Sequence, residues 1–141
     1  MKHINAKIIN FIKNTDKYGK LVPIEENETI PFPIKRVYYI YEVDEGVRRG
    51  FHSHKELNQV LICVSGSVKI LLKTPLEEKI VTLNKPDEGL YIGPMIWREM
   101  YDFSEDAILL VLADKHYNEC DYIRKYENYE KLAKPYFGVE D

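Results

Sequence analysis

Two of the four histidines in this chain, His52 and His54, stand one residue apart in the stretch RGFHSH. Side chains at positions i and i+2 of a β-strand point to the same face. We therefore expect both imidazoles to enter one space, with Phe51 and Ser53 on the opposite face. The ordinary pKa of imidazole lies near neutrality, so two such rings in one cavity suit either proton transfer or metal binding.

The segments that must position these rings are short and rich in β-branched and aromatic residues. About eight to ten of them are separated by turn residues, a spacing that predicts an all-β sandwich or barrel of the jelly-roll kind. Pro23 lacks an N–H, which places the second strand at an edge or a bulge. The predicted strands cover residues 6–12, 20–25, 34–43, 48–54, 60–65, 67–73, 79–83, 90–94, 95–103 and 107–113.

The C-terminal tail has a different pattern. Tyr122, Tyr126 and Tyr129 recur at helical spacing, Asn118 is a suitable N-cap, and Pro135 is expected to end the helix. We predict one short helix here, packed on the outside of the barrel or at a subunit contact.

Composition limits the class of protein. The chain of 141 residues, 45% hydrophobic and 30% charged, fits a single globular domain over residues 1–141. Its net charge of −3, with scattered basic residues, argues against nucleic-acid binding. We find neither an apolar run that would span a membrane nor a signal peptide in residues 1–7. With two cysteines, Cys63 and Cys120, the plain inference is a cytoplasmic protein without disulfides.

The spacing around the two histidines is specific. Gly46, His52, His54, Gln59 and Gly66 reproduce the first cupin motif except at one position. Metal-binding cupins have a glutamate ligand where this chain has Gln59. The motif thus supports a cupin jelly-roll barrel but weakens the metal site that often accompanies it.

The second cupin motif is also incomplete. The stretch after Pro94 lacks the histidine that metal cupins supply there, and Arg98 would add positive charge beside a cation. Zinc and iron need at least three good protein ligands. The sequence therefore favours acid–base use of His52 and His54, with no metal and no cofactor.

Several stretches together are similar to one known family. They resemble the dTDP-4-keto-6-deoxyglucose 3,4-ketoisomerases, sugar-nucleotide cupins related to the dTDP-sugar 3,5-epimerases, over nearly the whole chain. The resemblance implies a metal-free isomerase of a dTDP-sugar that moves the keto group from C4 to C3. It also implies a homodimer that exchanges its N-terminal strand. The stretches are residues 35–40, 49–54, 59–61, 94–104 and 121–124.

The resemblance also implies roles for individual residues. His52 matches the base that acts on C3, and His54 the group that moves protons among the oxygens. Arg49, which precedes them in the R-G-x-H-x-H run, is expected to clamp an anionic oxygen. Tyr39, on the neighbouring strand, is expected to donate its hydroxyl, with barrel packing as the alternative for this ring and for Tyr41.

Further residues are candidates for binding the dTDP-sugar. Arg36 and Arg98 suit the pyrophosphate, because guanidinium forks match phosphate oxygens. Trp97 and Tyr101 are candidates for stacking on thymine or sugar, with packing as the alternative. Gln59 is a further expected contact. Arg98 paired with Tyr18 resembles the branch whose 3-keto product has the gluco arrangement at C4. The complete set is Tyr18, Arg36, Gln59, Trp97, Arg98 and Tyr101.

Three other readings remain open at this point. A 3,5-epimerase would also abstract a proton beside the C4 ketone. A metal-dependent cupin dioxygenase and a non-enzymatic sugar-binding cupin would use the same fold. The family resemblance further implies a place in biosynthesis of a 3-amino-3,6-dideoxyhexose for surface polysaccharide.

Overall fold

The computed structural model describes residues 4–140 and consists of strands with one short C-terminal helix, α1 (Tyr126–Tyr136). This confirms the all-β cupin jelly roll. No helix in the described range is long and apolar enough to cross a membrane. That residues 1–141 form a single domain stays a prediction. The strands are β1 (Ala6–Asn10), β2 (Asn14–Asp16), β3 (Gly19–Leu21), β4 (Arg36–Tyr41), β5 (Arg49–His54), β6 (Gln59–Ser65), β7 (Val68–Lys73), β8 (Glu78–Leu83), β9 (Glu88–Ile92), β10 (Trp97–Tyr101), β11 (Ile108–Ala113) and β12 (Tyr122–Ile123).

Two five-stranded antiparallel sheets form the barrel. The first has the order β1-β9-β6-β11-β4 and the second β12-β5-β10-β7-β8. Strands β2 and β3 make a separate two-stranded hairpin, where the sequence had suggested two longer strands joined by a turn. The histidine strand β5 lies between β10 and β12, so its backbone is hydrogen-bonded along both edges and its side chains have fixed positions.

The continuous apolar runs of β6 and β11 are explained by burial on both faces. Residues such as Leu61 and Leu109 point into the barrel between the two sheets. Their neighbours Val60 and Ile62 lie instead on the outer face, where Ile30 and the segment around it cover them. A strand covered on both sides keeps no polar alternation.

The C-terminal helix is present but begins later than the sequence predicted. Asn118 does act as a cap, yet of a 3₁₀ turn (Glu119–Asp121), and its side chain accepts from the Cys120 N–H at 3.1 Å. Tyr122 then belongs to β12, which pairs with β5. Pro135 does not end α1, which continues to Tyr136. A proline in the last turn removes one hydrogen bond near an end that frays in any case.

Helix α1 packs against the outside of the second sheet, as expected. Tyr129 and Ala133 are buried against Trp97 and Ile123. The Tyr129 hydroxyl lies 2.9 Å from the Met95 carbonyl and 3.0 Å from the Lys73 carbonyl. The helix thereby stabilises the second sheet, whose strand β5 carries both histidines.

Candidate active site

The histidine strand contains a β-bulge. Along β5, His52 pairs with Arg98 of β10, but the next pair is Gly50 with Glu99, so Phe51 is the extra residue. Gly50 and Phe51 both have positive φ, 92° and 56°. A Cβ on Gly50 would lie 2.9 Å from the Arg98 carbonyl oxygen. The bulge needs glycine here, and such irregularities re-aim the neighbouring side chains.

The two imidazoles lie side by side on one face of β5, as their spacing predicted. The ring centroids of His52 and His54 are 4.9 Å apart, and the rings are nearly perpendicular at 86°. The ring of Tyr122 packs on both, with centroids 5.2 Å from His52 and 4.3 Å from His54. Tyr122 arrives there because β12 pairs with β5, placing it opposite His54.

His54 is oriented by Asp121. Its Nδ1 lies 3.2 Å from one carboxylate oxygen of Asp121, whose other oxygen accepts from the Glu56 N–H at 2.9 Å. A carboxylate can only accept, so Nδ1 carries the proton and Nε2 keeps its lone pair. That Nε2 is buried and has no hydrogen-bond partner within residues 4–140. His54 is therefore held ready to take a proton at Nε2.

His52 faces the larger opening. It lines a cleft of about 350 Å³, whereas His54 lines a smaller recess of about 50 Å³. The Gly50 backbone beside this imidazole partly offsets the lowering of the His52 pKa. The cleft is lined by Arg36, Tyr38, Ile40, Arg49, Gly50, His52, Met100, Tyr117, Tyr122 and Arg124.

Both histidines are neutral at physiological pH. Burial and then the nearby Arg98 charge lower the pKa of His52 to about 4. Burial, Arg98 and His52 lower the pKa of His54 as well. Burial disfavours the charged form of an imidazole, and a like charge adds to that effect. Each ring can therefore act as a base without first losing a proton.

Arg98 is buried beneath the histidines, at 1% exposure. Its Nη1 donates to Gln59 Oε1 at 2.5 Å and its Nη2 to the Ile96 carbonyl at 3.1 Å. The Gln59 amide in turn donates to the Tyr38 hydroxyl at 3.1 Å. Burial lowers the pKa of Arg98 to about 10, so the guanidinium remains charged at neutral pH. Its hydrogen bonds go to neutral groups, which leaves its positive potential available to the site.

The rim of the cleft is cationic. Arg124 is held by Glu119 through hydrogen bonds of 2.6 and 2.8 Å, and its guanidinium lies 4.2 Å from the Tyr122 ring centroid. Arg36 lies over Tyr38 and Tyr117, and its buried Nε has no partner among the residues described. Arg49 also lines the cleft, and the three guanidinium groups of Arg36, Arg49 and Arg124 together suit an anionic ligand.

Tyr39, the predicted hydroxyl donor, does not line the cleft, and its catalytic role stays a prediction. It lies on the outer face of β4, 63% exposed, with its ring 5.9 Å from that of Tyr41. Tyr38 lines the cleft in its place, next to Arg36. Strand alternation decides this: Arg36 and Tyr38 share a face and Tyr39 does not. The sequence contained the signal, because Arg36, a predicted pyrophosphate-binding residue, stands two positions before Tyr38.

Three further substrate-binding predictions are not matched by the side-chain positions. Trp97 is buried under α1, and its Nε1 donates to Glu99 at 2.9 Å. Tyr101 lies outside the cleft lining, with the Arg48 guanidinium 4.1 Å from its ring centroid. Tyr18 is 85% exposed on the β2–β3 hairpin. On β10, Trp97 and Tyr101 share the outward face opposite to Arg98, which explains the first two.

Arg98 and Gln59 lie below the cleft rather than along its wall, since both are buried and neither lines it. Arg98 therefore acts on the site through its field and its hydrogen bonds. Arg36 and Arg49 do line the cleft. The sequence reasoning missed Asp121, Tyr122 and Arg124 as site residues because it assigned them to the helical tail, although the alternation of Tyr122 with Arg124 is also typical of a strand.

A metal does not fit this donor set. Within residues 4–140, no group of three or more His, Cys, Asp or Glu side chains is arranged to hold a metal ion. The side chain at the cupin glutamate position, Gln59, has its oxygen 2.5 Å from a guanidinium. His54 has one nitrogen engaged by Asp121. What the arrangement offers is two oriented neutral bases beside a buried positive charge, which suits removal of a proton next to a carbonyl.

Comparison with known proteins agrees with this chemistry. The model of the family described as "FdtA: WxcM-like, C-terminal" matches residues 4–134. The TDP-4-oxo-6-deoxy-alpha-D-glucose-3,4-oxoisomerase of Aneurinibacillus thermoaerophilus is 51% identical over 129 residues, which cover 91% of this chain and 93% of that protein.

Solved structures agree as well. A mutant of the 3,4-ketoisomerase QdtA from Thermoanaerobacterium thermosaccharolyticum, in complex with TDP-4-keto-6-deoxyglucose, is 59% identical with a TM-score of 0.93. The match covers 94% of this chain and 96% of that one. The WlaRB TDP-quinovose 3,4-ketoisomerase from Campylobacter jejuni is 47% identical with a TM-score of 0.87, covering 90% and 98% of the two chains.

Proposed function

The chain belongs to the family of dTDP-4-keto-6-deoxyglucose 3,4-ketoisomerases, and from that premise we propose how its residues move the carbonyl group. It is an intramolecular oxidoreductase acting on a dTDP-linked 4-keto-6-deoxyhexose. The observation that carries the proposal is the pair of neutral imidazoles, with His52 in a cleft lined by guanidinium groups and His54 directly beside it. The finer statements below concern mechanism, stereochemistry, assembly and pathway.

The reaction passes through an enediolate. His52 removes the proton from C3, which the adjacent C4 carbonyl acidifies, and the C–H electrons form a C3–C4 double bond with negative charge on the C4 oxygen. His54 moves the C3 hydroxyl proton to that oxygen. Return of a proton from His52 to C4 then leaves the carbonyl at C3, so atoms and electrons balance. Positioned acid–base groups of this kind contribute roughly 10²–10⁴-fold each.

Arg98 stabilises the negative charge that develops. It is buried, charged and hydrogen-bonded to neutral groups. An uncompensated buried cation costs folding free energy, and its presence is reasonable where an anion forms during the reaction. Burial and then the same charge lower the pKa of His52 and His54, which keeps both rings unprotonated between turnovers.

Arg36, Arg49 and Arg124 bind the diphosphate of the dTDP-sugar. All three line the cleft that contains His52. Guanidinium groups make bidentate, charge-assisted hydrogen bonds to phosphate oxygens. Arg124 is pre-oriented by Glu119, which reduces the entropy lost on binding.

The product has the gluco arrangement at C4. Arg98 stands where galacto-producing relatives commonly have a histidine, and the combination of Arg98 with Tyr18 resembles the gluco-producing branch. Support also comes from the 47% identity to an isomerase named for TDP-quinovose, the sugar of 6-deoxyglucose configuration. We infer that the positive charge of Arg98, from below the cleft, favours one orientation of the enediolate towards the returning proton.

The chain acts as a homodimer that exchanges its N-terminal strand. Strand β1 pairs with β9 along five residues, and the same pairing can form between two chains. The outward side chains of β4, an edge strand, are apolar and exposed, a pattern that marks interaction surfaces. The hairpin β2–β3, which follows β1, would then lie against the second copy and carry Tyr18 with it.

The product supplies a 3-amino-3,6-dideoxyhexose pathway for surface polysaccharide. A ketone at C3 is the group that a transamination converts to an amine, so an aminotransferase is the class of enzyme that consumes it. The cytoplasmic location expected from the sequence stays a prediction.

The test is a proton NMR time course on dTDP-4-keto-6-deoxyglucose in D₂O, with wild type and His52→Asn side by side. We expect signals of a 3-keto product with the wild type alone. A carbonyl that stays at C4 while deuterium enters C3 and C5 would identify a 3,5-epimerase instead. An inactive wild type that contains stoichiometric metal would favour a dioxygenase.

The same spectra test the stereochemistry. Coupling constants of the trapped product distinguish gluco from galacto at C4. Replacing Arg98→His together with Tyr18→Arg should shift the ratio towards galacto. An unchanged ratio would refute the assignment.

A further inference from the structure

We propose that Ile40 and Met100 form an apolar subsite that binds the C6 methyl group of the hexose and thereby selects 6-deoxy sugars. The inference rests on the proposed function and deepens it, because it names the part of the substrate that these two side chains recognise. Both residues line the cleft that contains His52. Neither side chain has a group that could transfer a proton or bind a phosphate.

The apolar part of the cleft is small and distinct. Ile40 and Met100 are the only aliphatic side chains among the described residues that line it, and the others are arginines, tyrosines, His52 and Gly50. In a ligand pocket, polar groups fix the orientation of the ligand and apolar surface covers its apolar parts. An aliphatic group of the substrate is therefore best accommodated at Ile40 and Met100.

The two side chains reach the cleft from the barrel core. On β4, Ile40 follows Arg36 and Tyr38 in steps of two, so the three share one face. On β10, Met100 shares its face with Arg98 in the same way. Met100 belongs to the main core cluster, and Ile40 packs against that cluster. The core of the barrel thus forms part of the cleft wall.

Met100 lies close to the bulge that carries His52. Its backbone pairs with Arg49 of β5. A Cβ built on Gly50 would lie 3.2 Å from the methyl carbon of Met100, and Gly50 stands two residues before His52. Met100 is 6% exposed, so packing holds it in this place. A substrate carbon that approaches His52 therefore brings its neighbouring groups towards Met100.

The chemistry of the substrate identifies the group that fits. The C6 methyl is the one aliphatic substituent of a 4-keto-6-deoxyhexose, since the other ring substituents are oxygen functions. It is attached to C5, which is bonded to C4, the carbon that receives a proton from His52. A hydroxyl on C6 would lie against Ile40 and Met100 without a hydrogen-bond partner from either, and burying an unpaired hydroxyl costs free energy.

The test compares two ligands that differ only at C6, TDP-6-deoxyglucose and TDP-glucose. Neither has a keto group at C4, so calorimetry measures their binding without turnover. Apolar pockets distinguish such pairs by roughly 10- to 10²-fold. We expect the wild type to bind the 6-deoxy sugar more tightly by a factor in that range. Equal dissociation constants for the two ligands would overturn the proposal.

Variants then assign the preference to these side chains. Met100→Gln keeps the side-chain length but supplies an amide that can bond a C6 hydroxyl, so the preference should fall by roughly 10-fold. Ile40→Thr should lower it as well. The matched control is Met95→Gln, at a methionine that is also 6% exposed but packs under α1, outside the cleft. A wild-type preference in both cleft variants, or an equal loss in Met95→Gln, would contradict the subsite.

Thymine also has a methyl group, and TDP alone serves as the third ligand. If Met100 contacted the base, Met100→Gln would weaken TDP and leave the preference between the two sugars unchanged, which would overturn the proposal. A wild type that prefers TDP-6-deoxyglucose but forms no 3-keto product would refute the proposed function alone. A 3-keto product without that preference would refute the subsite alone.

Discussion

At the scale of single residues, burial and then the charge of Arg98 lower the pKa of both histidines. Its hydrogen bonds go to neutral groups, and it lies opposite His52 in the β5–β10 ladder. Together with burial it holds both imidazoles neutral. The site therefore has bases that need no activation and a cation that favours the enediolate.

The pH dependence follows from the lowered pKa of His52, about 4 against an ordinary 6.5. The base is lost only when His52 is protonated, so the acidic limb of kcat/KM should lie near pH 4. Between pH 6.5 and 4 the unfolded chain binds a proton that the folded chain does not, so stability should fall as pH falls through this window. A limb near pH 6.5 would contradict the assignment. Circular dichroism at each pH checks that the fold persists.

Asp121 is expected to set the tautomer of His54. In Asp121→Asn the amide can present its NH₂ to Nδ1, which moves the proton to Nε2 and blocks the lone pair there. We expect kcat to fall by roughly 10²-fold or more, the size of one acid–base contribution, with KM little changed. Two-dimensional ¹⁵N NMR of the histidine rings reads the tautomer directly.

The control for this variant is Asp87→Asn, which removes an exposed carboxylate paired with Lys13. It should leave both kcat and the His54 tautomer as in wild type. An Asp121→Asn protein that keeps its proton on Nδ1 would show that another group orients His54.

At the scale of elements, the bulge in β5 and the pairing of β12 build the site. The bulge fixes where His52 stands relative to Arg98, and β12 places Tyr122 over both imidazoles. Helix α1 stabilises this arrangement from behind through Tyr129. The chemistry thus depends on irregular pairing as much as on the regular barrel.

Gly50→Ala tests the bulge. The new methyl would meet the Arg98 carbonyl oxygen at 2.9 Å at a φ of 92°, so the strands must separate and His52 must shift. Backbone strain of this kind costs roughly 1–3 kcal/mol, to which the clash adds. We expect a lower free energy of unfolding in urea and a large loss of kcat.

Gly46→Ala is the matched control, because Gly46 also has a positive φ, 80°, but nothing lies within 4 Å of its added Cβ. Gly46→Ala should lower the free energy of unfolding only by the cost of placing alanine at a positive φ, and it should keep its activity. If Gly50→Ala and Gly46→Ala lost equal amounts of unfolding free energy and of kcat, the close approach of Gly50 to the Arg98 carbonyl would not matter.

At the scale of the whole molecule, exposed apolar side chains indicate a second copy. Val37, Tyr39 and Tyr41 on β4 are 55%, 63% and 55% exposed. Light scattering should give twice the chain mass of 16.6 kDa, and Tyr39→Glu should weaken the dimer. Ile80→Glu, an equally exposed apolar site on β8 of the other sheet, should not. A monomeric wild type would contradict the proposal.

Strand exchange has its own test. Ile8 and Leu90 are partners in the β1–β9 ladder, so cysteines at both positions can form a disulfide. If the strand is exchanged, the oxidised double variant should run as a covalent dimer on a non-reducing gel. A monomeric band would place β1 on its own chain. Wild type, with Cys63 and Cys120 alone, controls for other cross-links.

The sequence by itself determined the fold and the central pair of histidines. Period-two alternation puts His52 and His54 on one face whatever their surroundings, and the turn spacing specifies the strands. The incomplete cupin motif, with Gln59 for glutamate, already pointed away from a metal. The same alternation, counted from Arg36, puts Tyr38 and not Tyr39 on the face of β4 that lines the cleft.

Tertiary structure alone decided the rest, because the decisive contacts join residues far apart in sequence. Asp121 meets His54 across 67 positions and Arg98 meets Gln59 across 39. The pairing of β12 with β5 overrode the local signal for a longer helix, because it packs Tyr122 on both imidazoles and buries Ile123. Whether an arginine binds substrate from the rim, like Arg36, or acts from below, like Arg98, depends on which strand face meets the cleft.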